Sequence, residues 1–186
     1  IAITGEHSDG HEWVVDAFAK GAAAAVVSSI PPGLEDRPLL VVEDTFRAMQ
    51  DLGRAARTRT GAKIIGITGS VGKTGTKEML AAAFGSIGQT HASAKSYNNH
   101  WGVPLSLSQM HSGSDYGIFE MGMNHSGEIS PLSRMVRPHI AIVTTVEPVH
   151  LENFSDGEKS IADAKAEIFD GMAAGGTAVL NRDNVW

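Results

Sequence analysis

GITGSVGKTGTKEML, residues Gly66 to Leu80, is the stretch that decides how this chain folds. Just ahead of and inside it, Ile64, Ile65 and Ile67 are apolar and β-branched, the composition of a short buried strand. Gly69 and Gly72 let the backbone curl so that successive N–H groups face inward toward anionic oxygens, and from about Thr74 the spacing becomes helical. Strand, glycine turn and helix in that order make a phosphate cradle. Lys73 adds a point charge, Thr74 a hydroxyl suited to Mg²⁺, and the helix the positive end of its dipole. The general pattern GxxxxGK[ST] is not fully met, because position 67 is Ile and Gly66 falls one residue early. The narrower run TGSVGKT, Thr68 to Thr74, fits as it stands, and Ser70, Val71 and Gly75 join Gly69 and Gly72 among the residues expected around a nucleotide's phosphates. A glycine turn with a chance Lys-Thr pair is the plain alternative; the strand before and the helix after weigh against it.

Composition narrows the partners. At 186 residues and 42% hydrophobic, the chain can bury a sizeable core and reads as an ordinary globular protein. Its formal net charge is −6, with both signs interspersed and no basic block, which argues against nucleic acid or an anionic membrane as partner. Phosphate recognition must therefore be local. With no cysteine, disulfides, thiolate metal sites and a cysteine nucleophile are excluded. No apolar run approaches the length of a membrane span and IAITGEHSDG has no basic leader, so a cytoplasmic location is expected. The chain opens on Ile1 inside what reads as a strand and closes on Trp186 just after another, so a fragment is also expected.

Along the chain, His11 to Lys20 places Val14, Ala17 and Phe18 on one helical face, Gly21 offers a stop, and Ala22 to Val27 reads as a strand. Pro31, Pro32 and Gly33 form a turn before a strand at Leu39 to Val42, and Thr45 to Arg59 has helical spacing with a basic end. A domain boundary is expected between Asp44 and Thr60, giving a partial smaller α/β domain over 1–44, a linker helix over 45–62 and a P-loop-type central domain over 63–186. That last part alternates: strand 63–68, helix Thr74 to Ile87, strand Tyr116 to Glu120, strand His139 to Thr144, helix Gly157 to Met172, strand Thr177 to Leu180. Alternation of this kind predicts an α/β fold, a mostly parallel sheet with flanking helices.

Ligands of open parallel sheets sit beyond the carboxyl ends of the strands, and each chemically capable cluster here follows a strand's last residue. The glycine turn follows Ile67, Glu120 ends the run IFE, and Thr144, Thr145 and Glu147 follow AIV. Glu120, opposite the phosphate turn, could hold Mg²⁺ directly or through water, or be no more than a solvated strand end. Asn124, His125 and Gly127 could form a turn without chemistry, and so could Tyr97 to Gly102 ahead of a helix started by Pro104. Lys165 stands out. The apolar stripe of SIADAKAEIFDGM runs through Ile161, Ala164, Ile168, Phe169 and Met172, and Lys165 falls inside it. An inward lysine must snorkel, pair or change its charge, and a neutral amine that takes up CO₂ becomes a carbamate, an oxygen ligand for a hard metal. His150 is a lone loop histidine with no more to say for itself.

Together TGSVGKT, NNHWGVPLSL, EMGMNHSGEIS, TTVEPVHLENF and IADAKAEIF resemble the Mur ligase family, ATP-dependent amide-bond ligases of peptidoglycan precursor synthesis. The resemblance is strongest to the branch that joins D-alanyl-D-alanine to UDP-N-acetylmuramoyl-tripeptide. DGHEWVVDAFAKGAAAAVV is similar to the end of the family's UDP-sugar-binding first domain. The resemblance implies that Thr74 and Glu120 hold a Mg²⁺ bridging the ATP phosphates, and that His150 and a carbamylated Lys165 serve a second ion. It implies that Lys73 contacts the transferring phosphate, that Asn99 lies near the nucleotide phosphates, and that Asn124 and His125 lie near the acceptor carboxylate. The implied reaction passes through an acyl phosphate that the incoming amine attacks, in a monomer that neither binds nucleic acid nor inserts into a membrane. The family's C-terminal domain is expected to lie outside this sequence, so this segment alone is expected to ligate negligibly.

Two rival readings remain at this point. A P-loop switch that signals by its bound nucleotide would want an NKxD base-reading motif, and Asn181-Arg182-Asp183 has Arg for Lys and Asp one position too soon. Another ligase of the family, or a folylpolyglutamate-type synthetase, is a closer rival, although NNHWGVP and MNHSGEIS favour the dipeptide-adding branch.

Overall fold

The computed structural model describes residues 1–186 apart from Glu6, His150 and Ser155. Two compact units follow one another, Ile1–Leu52 and Gly53–Trp186, and the helix Thr45–Arg59 runs through the junction.

In the first unit a 3-10 turn, Gly10–Trp13, leads into α1 (Val14–Ala19), and β1 (Ala25–Val27) pairs in parallel with β2 (Leu39–Val41). Ala2, Val14, Ala25, Val27 and Leu34 form its core, with Phe18 and Leu39 packed alongside. The strand begins three residues later than the run of alanines predicts. Helix α1 closes with the N–H of Ala22 on the Ala17 carbonyl and that of Gly21 on Phe18, a Schellman arrangement made possible by φ 92° at Gly21, and this consumes Ala22.

After α2 (Thr45–Arg59), the second unit contains β3 (Lys63–Thr68), α3 (Lys73–Gly85), β4 (Thr90–Ala92), α4 (Gly102–Ser108), β5 (Tyr116–Glu120), α5 (Ile129–Val136), β6 (Ile140–Val143), α6 (Glu158–Ala166) and β7 (Thr177–Leu180). The five strands form one sheet in the order β4-β5-β3-β6-β7, every pair parallel. This is the α/β architecture with flanking helices that the alternation predicts. The strand β3 is central because it is apolar on both faces: Ile64, Ile65 and Ile67 are all buried, each contributing about 1.5–3 kcal/mol relative to exposure. On one side Ile65, Ile67 and Ile118 meet Leu80, Ala81 and Phe84 of α3. On the other, Ile64, Phe119, Met121 and Ala141 pack with Val103 and Leu107 of α4, Ile129, Leu132 and Val136 of α5, and Ile168.

Gly66 belongs to this packing and not to the phosphate turn: a Cβ there would collide with Met121 Cε and press on Pro138. Its place one residue early in the motif follows from that. The helix α6 is shorter than its apolar stripe, because the chain tightens into a 3-10 turn over Glu167–Gly171 where Gly171 lies against the Ser133 backbone with no room for a side chain. Two elements lie outside the alternation read from sequence, the three-residue β4 and α5. The register pairs Ile67 with Glu120 and Thr68 with Val143, so the segments leaving β3, β5 and β6 emerge side by side. No helix among the described residues is long and apolar enough to cross a membrane.

Candidate functional site

The turn between β3 and α3 depends on Gly69 at φ 143° and Gly72 at φ 86°, conformations that L side chains rarely adopt. Gly72 is the N-cap of α3 and no side chain caps the helix, so the first-turn N–H groups point outward at the loop's concave side. The segment after β6 holds the turn in shape. Ser70 N–H donates to the Thr145 carbonyl at 2.8 Å, Ser70 Oγ donates to the Glu147 carbonyl at 3.0 Å and accepts from Glu147 N–H at 2.9 Å. Thr144 Oγ1 donates to the Val71 carbonyl at 2.6 Å and sits where a Cβ on Gly69 would have to go.

Lys73 Nζ folds over this turn and donates to the carbonyls of Gly69 at 2.5 Å and Ser70 at 3.3 Å. Burial lowers its pKa, and the nearby Glu120 carboxylate opposes that shift. Glu120 is no solvated strand end: it is 1% exposed. Its Oε2 accepts from Thr74 Oγ1 at 3.0 Å and lies 3.9 Å from Lys77 Nζ, while Oε1 accepts from Asn98 Nδ2 at 3.2 Å. A buried carboxylate and a hydroxyl, adjacent at the mouth of a phosphate turn, are the hard oxygen donors that Mg²⁺ takes, so these residues fit that ion.

Lys165 is buried at 3% exposure, on the same face of α6 as Ile161 and Ala164, as its place in the stripe predicts. Desolvation, with a smaller push from the Lys73 ammonium, lowers its pKa from 10.5 to about 8. His150 lies outside the described residues. Asn99 and Asn124 line one cavity of about 230 Å³ together with Lys73, Asn98, Gly122, Met123 and Glu128. The Asn99 side chain is also tied to the start of α4, its Oδ1 accepting from the N–H groups of Trp101 at 3.1 Å and Gly102 at 2.9 Å. His125 sits at the exposed rim, its Nδ1 3.2 Å from Glu128 Oε1. Burial pushes the Glu128 carboxyl up, but hydrogen bonds from the N–H groups of Asn124 and His125 outweigh it and hold the pKa below the usual range. A larger cavity, about 400 Å³, lies at the opposite ends of the strands, among Lys63, Tyr116, His139 and Thr177, away from all of this chemistry.

Four participants escaped the sequence reading. Asn98 and Glu128 sit beside residues already singled out. Glu167 accepts from the N–H groups of Gly127 at 2.6 Å, Ser130 at 3.0 Å and Ile129 at 3.1 Å, which fixes the loop after β5 to the turn after α6. Lys77 is completely buried, and its signal was available: it shares a stripe with Leu80, Ala81 and Phe84, the same inward placement that drew attention to Lys165.

A family model described as the Mur ligase middle domain matches residues 67–186. The UDP-N-acetylmuramoyl-tripeptide--D-alanyl-D-alanine ligase of Rickettsia prowazekii is 39% identical over 184 residues, covering 99% of this chain and 40% of that protein. A crystal structure of MurF from Acinetobacter baumannii superposes with a TM-score of 0.87 at 34% identity, covering 99% of this chain and 40% of that one. The MurF ligase of Thermotoga maritima in complex with ADP gives 0.81 at 27% identity, over 98% of this chain and 42% of that one. The chain thus spans about 40% of the length of the curated relatives it matches. A parallel sheet with a TGSVGKT turn after its central strand, matched over more than half of the sequence by one family's middle domain, places this chain in the Mur ligase family.

Proposed function

We propose that this chain supplies the nucleotide-binding centre of an ATP-dependent ligase that joins D-alanyl-D-alanine to UDP-N-acetylmuramoyl-tripeptide, a step of peptidoglycan precursor synthesis in the cytoplasm. In this reading residues 1–44 are part of a UDP-sugar-binding domain, 45–62 a linker, and 63–186 belong to the central ATP-binding domain. The observation that carries it is the Thr74–Glu120 pair, 3.0 Å apart, one buried carboxylate and one hydroxyl immediately beside Lys73 of the phosphate turn. The names of the relatives, and the ADP complex among them, support the choice of substrates and nucleotide.

Gly69 to Gly75 and Asn99 cradle the phosphates through backbone N–H groups, and Lys73 leaves the loop carbonyls for the transferring phosphoryl group, whose charge it neutralises as it passes to the acceptor carboxylate. Bound Mg²⁺, held by Thr74 and Glu120, would supply further charge neutralisation at the phosphoryl oxygens. Asn124 and His125 orient the acceptor carboxylate from the other side of the cavity. Its oxygen takes the γ-phosphoryl group, ADP leaves, and the amine then displaces phosphate from the acyl phosphate to form the amide. Lys165 at a pKa of about 8 is neutral in roughly one molecule in four at pH 7.5, which is what carbamate formation requires. The carbamate and His150 are the proposed ligands of a second Mg²⁺.

Phosphate release by the full-length protein, with ATP, Mg²⁺ and the UDP-linked tripeptide, tests this. D-alanyl-D-alanine should support turnover where single D- or L-amino acids do not. Equal turnover with a single amino acid would assign a different ligase of the family, and no nucleotide-dependent turnover with any amine would refute the reading.

A further inference from the structure

Lys77 is completely buried and carries a charge, yet no step above uses it. A buried ammonium is tolerated only where its donors are met and its charge is balanced. Both conditions are satisfied by groups that belong to different parts of the site. Its Nζ donates to the carbonyl of Ser93 at 2.8 Å and of Lys95 at 2.7 Å, just beyond β4, and lies 3.0 Å from Glu78 Oε1 and 3.9 Å from Glu120 Oε2. The segment it grips is not held by regular structure. Lys95 has φ 50°, a left-handed conformation uncommon outside glycine, asparagine and aspartate, and the Lys77 bond to its own carbonyl helps fix it. Three residues later Asn98 donates to Glu120 Oε1, accepts on its carbonyl from Gly122 N–H at 2.7 Å, and is followed by Asn99 of the same cavity. The ammonium therefore acts on both edges of the carboxylate: on Oε2 through the 3.9 Å ion pair, and on Oε1 through the segment that delivers Asn98.

We propose that Lys77 is a positioning residue that fixes the Glu120 carboxylate and the 93–99 segment against the phosphate turn, so that Thr74 and Glu120 present a preset pair of oxygens to the divalent cation accompanying the nucleotide. It touches neither phosphate nor cation. This inference rests on the reading of Thr74 and Glu120 as cation ligands, and deepens it. Outer partners of metal ligands are worth about 10–100-fold in metal affinity, and Lys77 acts on one ligand and on the loop beside it. The opposing effect is repulsion between the ammonium and the arriving cation; the proposal requires that orientation of the carboxylate outweigh it.

The test uses the full-length protein, Mn²⁺ as a spin-active probe for the divalent cation, and ADP. Wild type should bind Mn²⁺ with ADP, read by the loss of free-ion electron paramagnetic resonance signal. In Lys77→Met, Mn²⁺ affinity in the presence of ADP should fall about tenfold or more, while ADP affinity without metal changes less than about threefold. Lys77→Arg, which keeps the charge and the donors, should recover part of the loss. Unchanged or tighter Mn²⁺ binding in a folded Lys77→Met protein overturns the proposal. Should that variant not fold, side-chain ¹⁵N spectra of wild type decide: the Lys77 Nζ resonance should move when Mg²⁺ is added to the ADP-bound protein and barely move on ADP alone, and the reverse pattern overturns the proposal. Absence of Mn²⁺ binding by wild type would instead sink the assignment of Thr74 and Glu120.

Discussion

Replacing Gly69 by alanine should be the most damaging single-methyl change in the phosphate turn, and the reason can be separated into two parts. Backbone comes first. At φ 143° a residue with a Cβ is strained by about 1–3 kcal/mol. Contact adds to it. The new methyl would collide with Thr144 Oγ1 and stand 3.1 Å from both Thr144 Cβ and N, and this threonine cannot simply turn away because its hydroxyl donates to the Val71 carbonyl at 2.6 Å. Overpacking of that kind costs about 1–3 kcal/mol, and losing the hydrogen bond about 1 kcal/mol. Gly69→Ala should therefore destabilise the protein by about 3–7 kcal/mol. Gly72→Ala, at φ 86° but with nothing nearer to its Cβ than 3.8 Å, should cost only about 1–2 kcal/mol. Urea unfolding followed by tryptophan fluorescence and circular dichroism gives both values. A double-mutant cycle then isolates the contact: Thr144→Ala removes the hydroxyl, so the combined variant should be less destabilised than the sum of the singles by about 1 kcal/mol or more. Equal costs at positions 69 and 72, or strict additivity with Thr144→Ala, would refute the overlap.

Glu120→Gln keeps the shape of the strand end but removes the charge, and should abolish most of the Mg²⁺ dependence of ADP affinity, a loss of about tenfold or more by calorimetry, with metal-free binding little changed. For Lys165 the folded pKa of about 8 lies below the unfolded 10.5, so the unfolded chain holds more protons between those values and stability attributable to this group rises with pH across that window. Below pH 8 the burial penalty is fully present, roughly 3 kcal/mol, and the difference in unfolding free energy between Lys165→Met and wild type should be largest near pH 7 and shrink toward pH 10.5, measured without bicarbonate. Arg57→Leu should destabilise by about 2–4 kcal/mol with ADP affinity intact, because the buried guanidinium donates to the carbonyls of Val136 at 2.6 Å and Arg137 at 2.9 Å at the end of α5, and none of the three lines the cavity beside the phosphate turn.

What could be read without coordinates was whatever carries a local period or an obligatory residue type. The strand Lys63–Thr68 and its glycine turn were legible because β-branched residues and positive φ leave few alternatives, and the inward face of Lys165 because it falls at helical spacing beside Ile161 and Ala164. The helix α5 was missed although Ile129, Leu132, Ser133 and Val136 line one face, since Pro131 reads as a breaker; it sits in the first turn, where a missing N–H costs nothing. The strand β4 is three half-buried residues, too short for any pattern. Long-range partnerships were out of reach: nothing local in Ser70 or Thr144 announces that they hold each other's segments, and Glu167 meets three backbone N–H groups about 40 positions away.

The reciprocal bonds between Ser70 and Glu147 have a thermodynamic consequence for nucleotide capture. A glycine-rich hairpin left to itself would sample many shapes, and a polyphosphate would have to freeze one of them, at roughly 1–2 kcal/mol for each residue immobilised. Here that ordering is already done during folding. Association should consequently show little loss of chain entropy and a heat capacity change that reports the surface buried on contact and no folding of the turn.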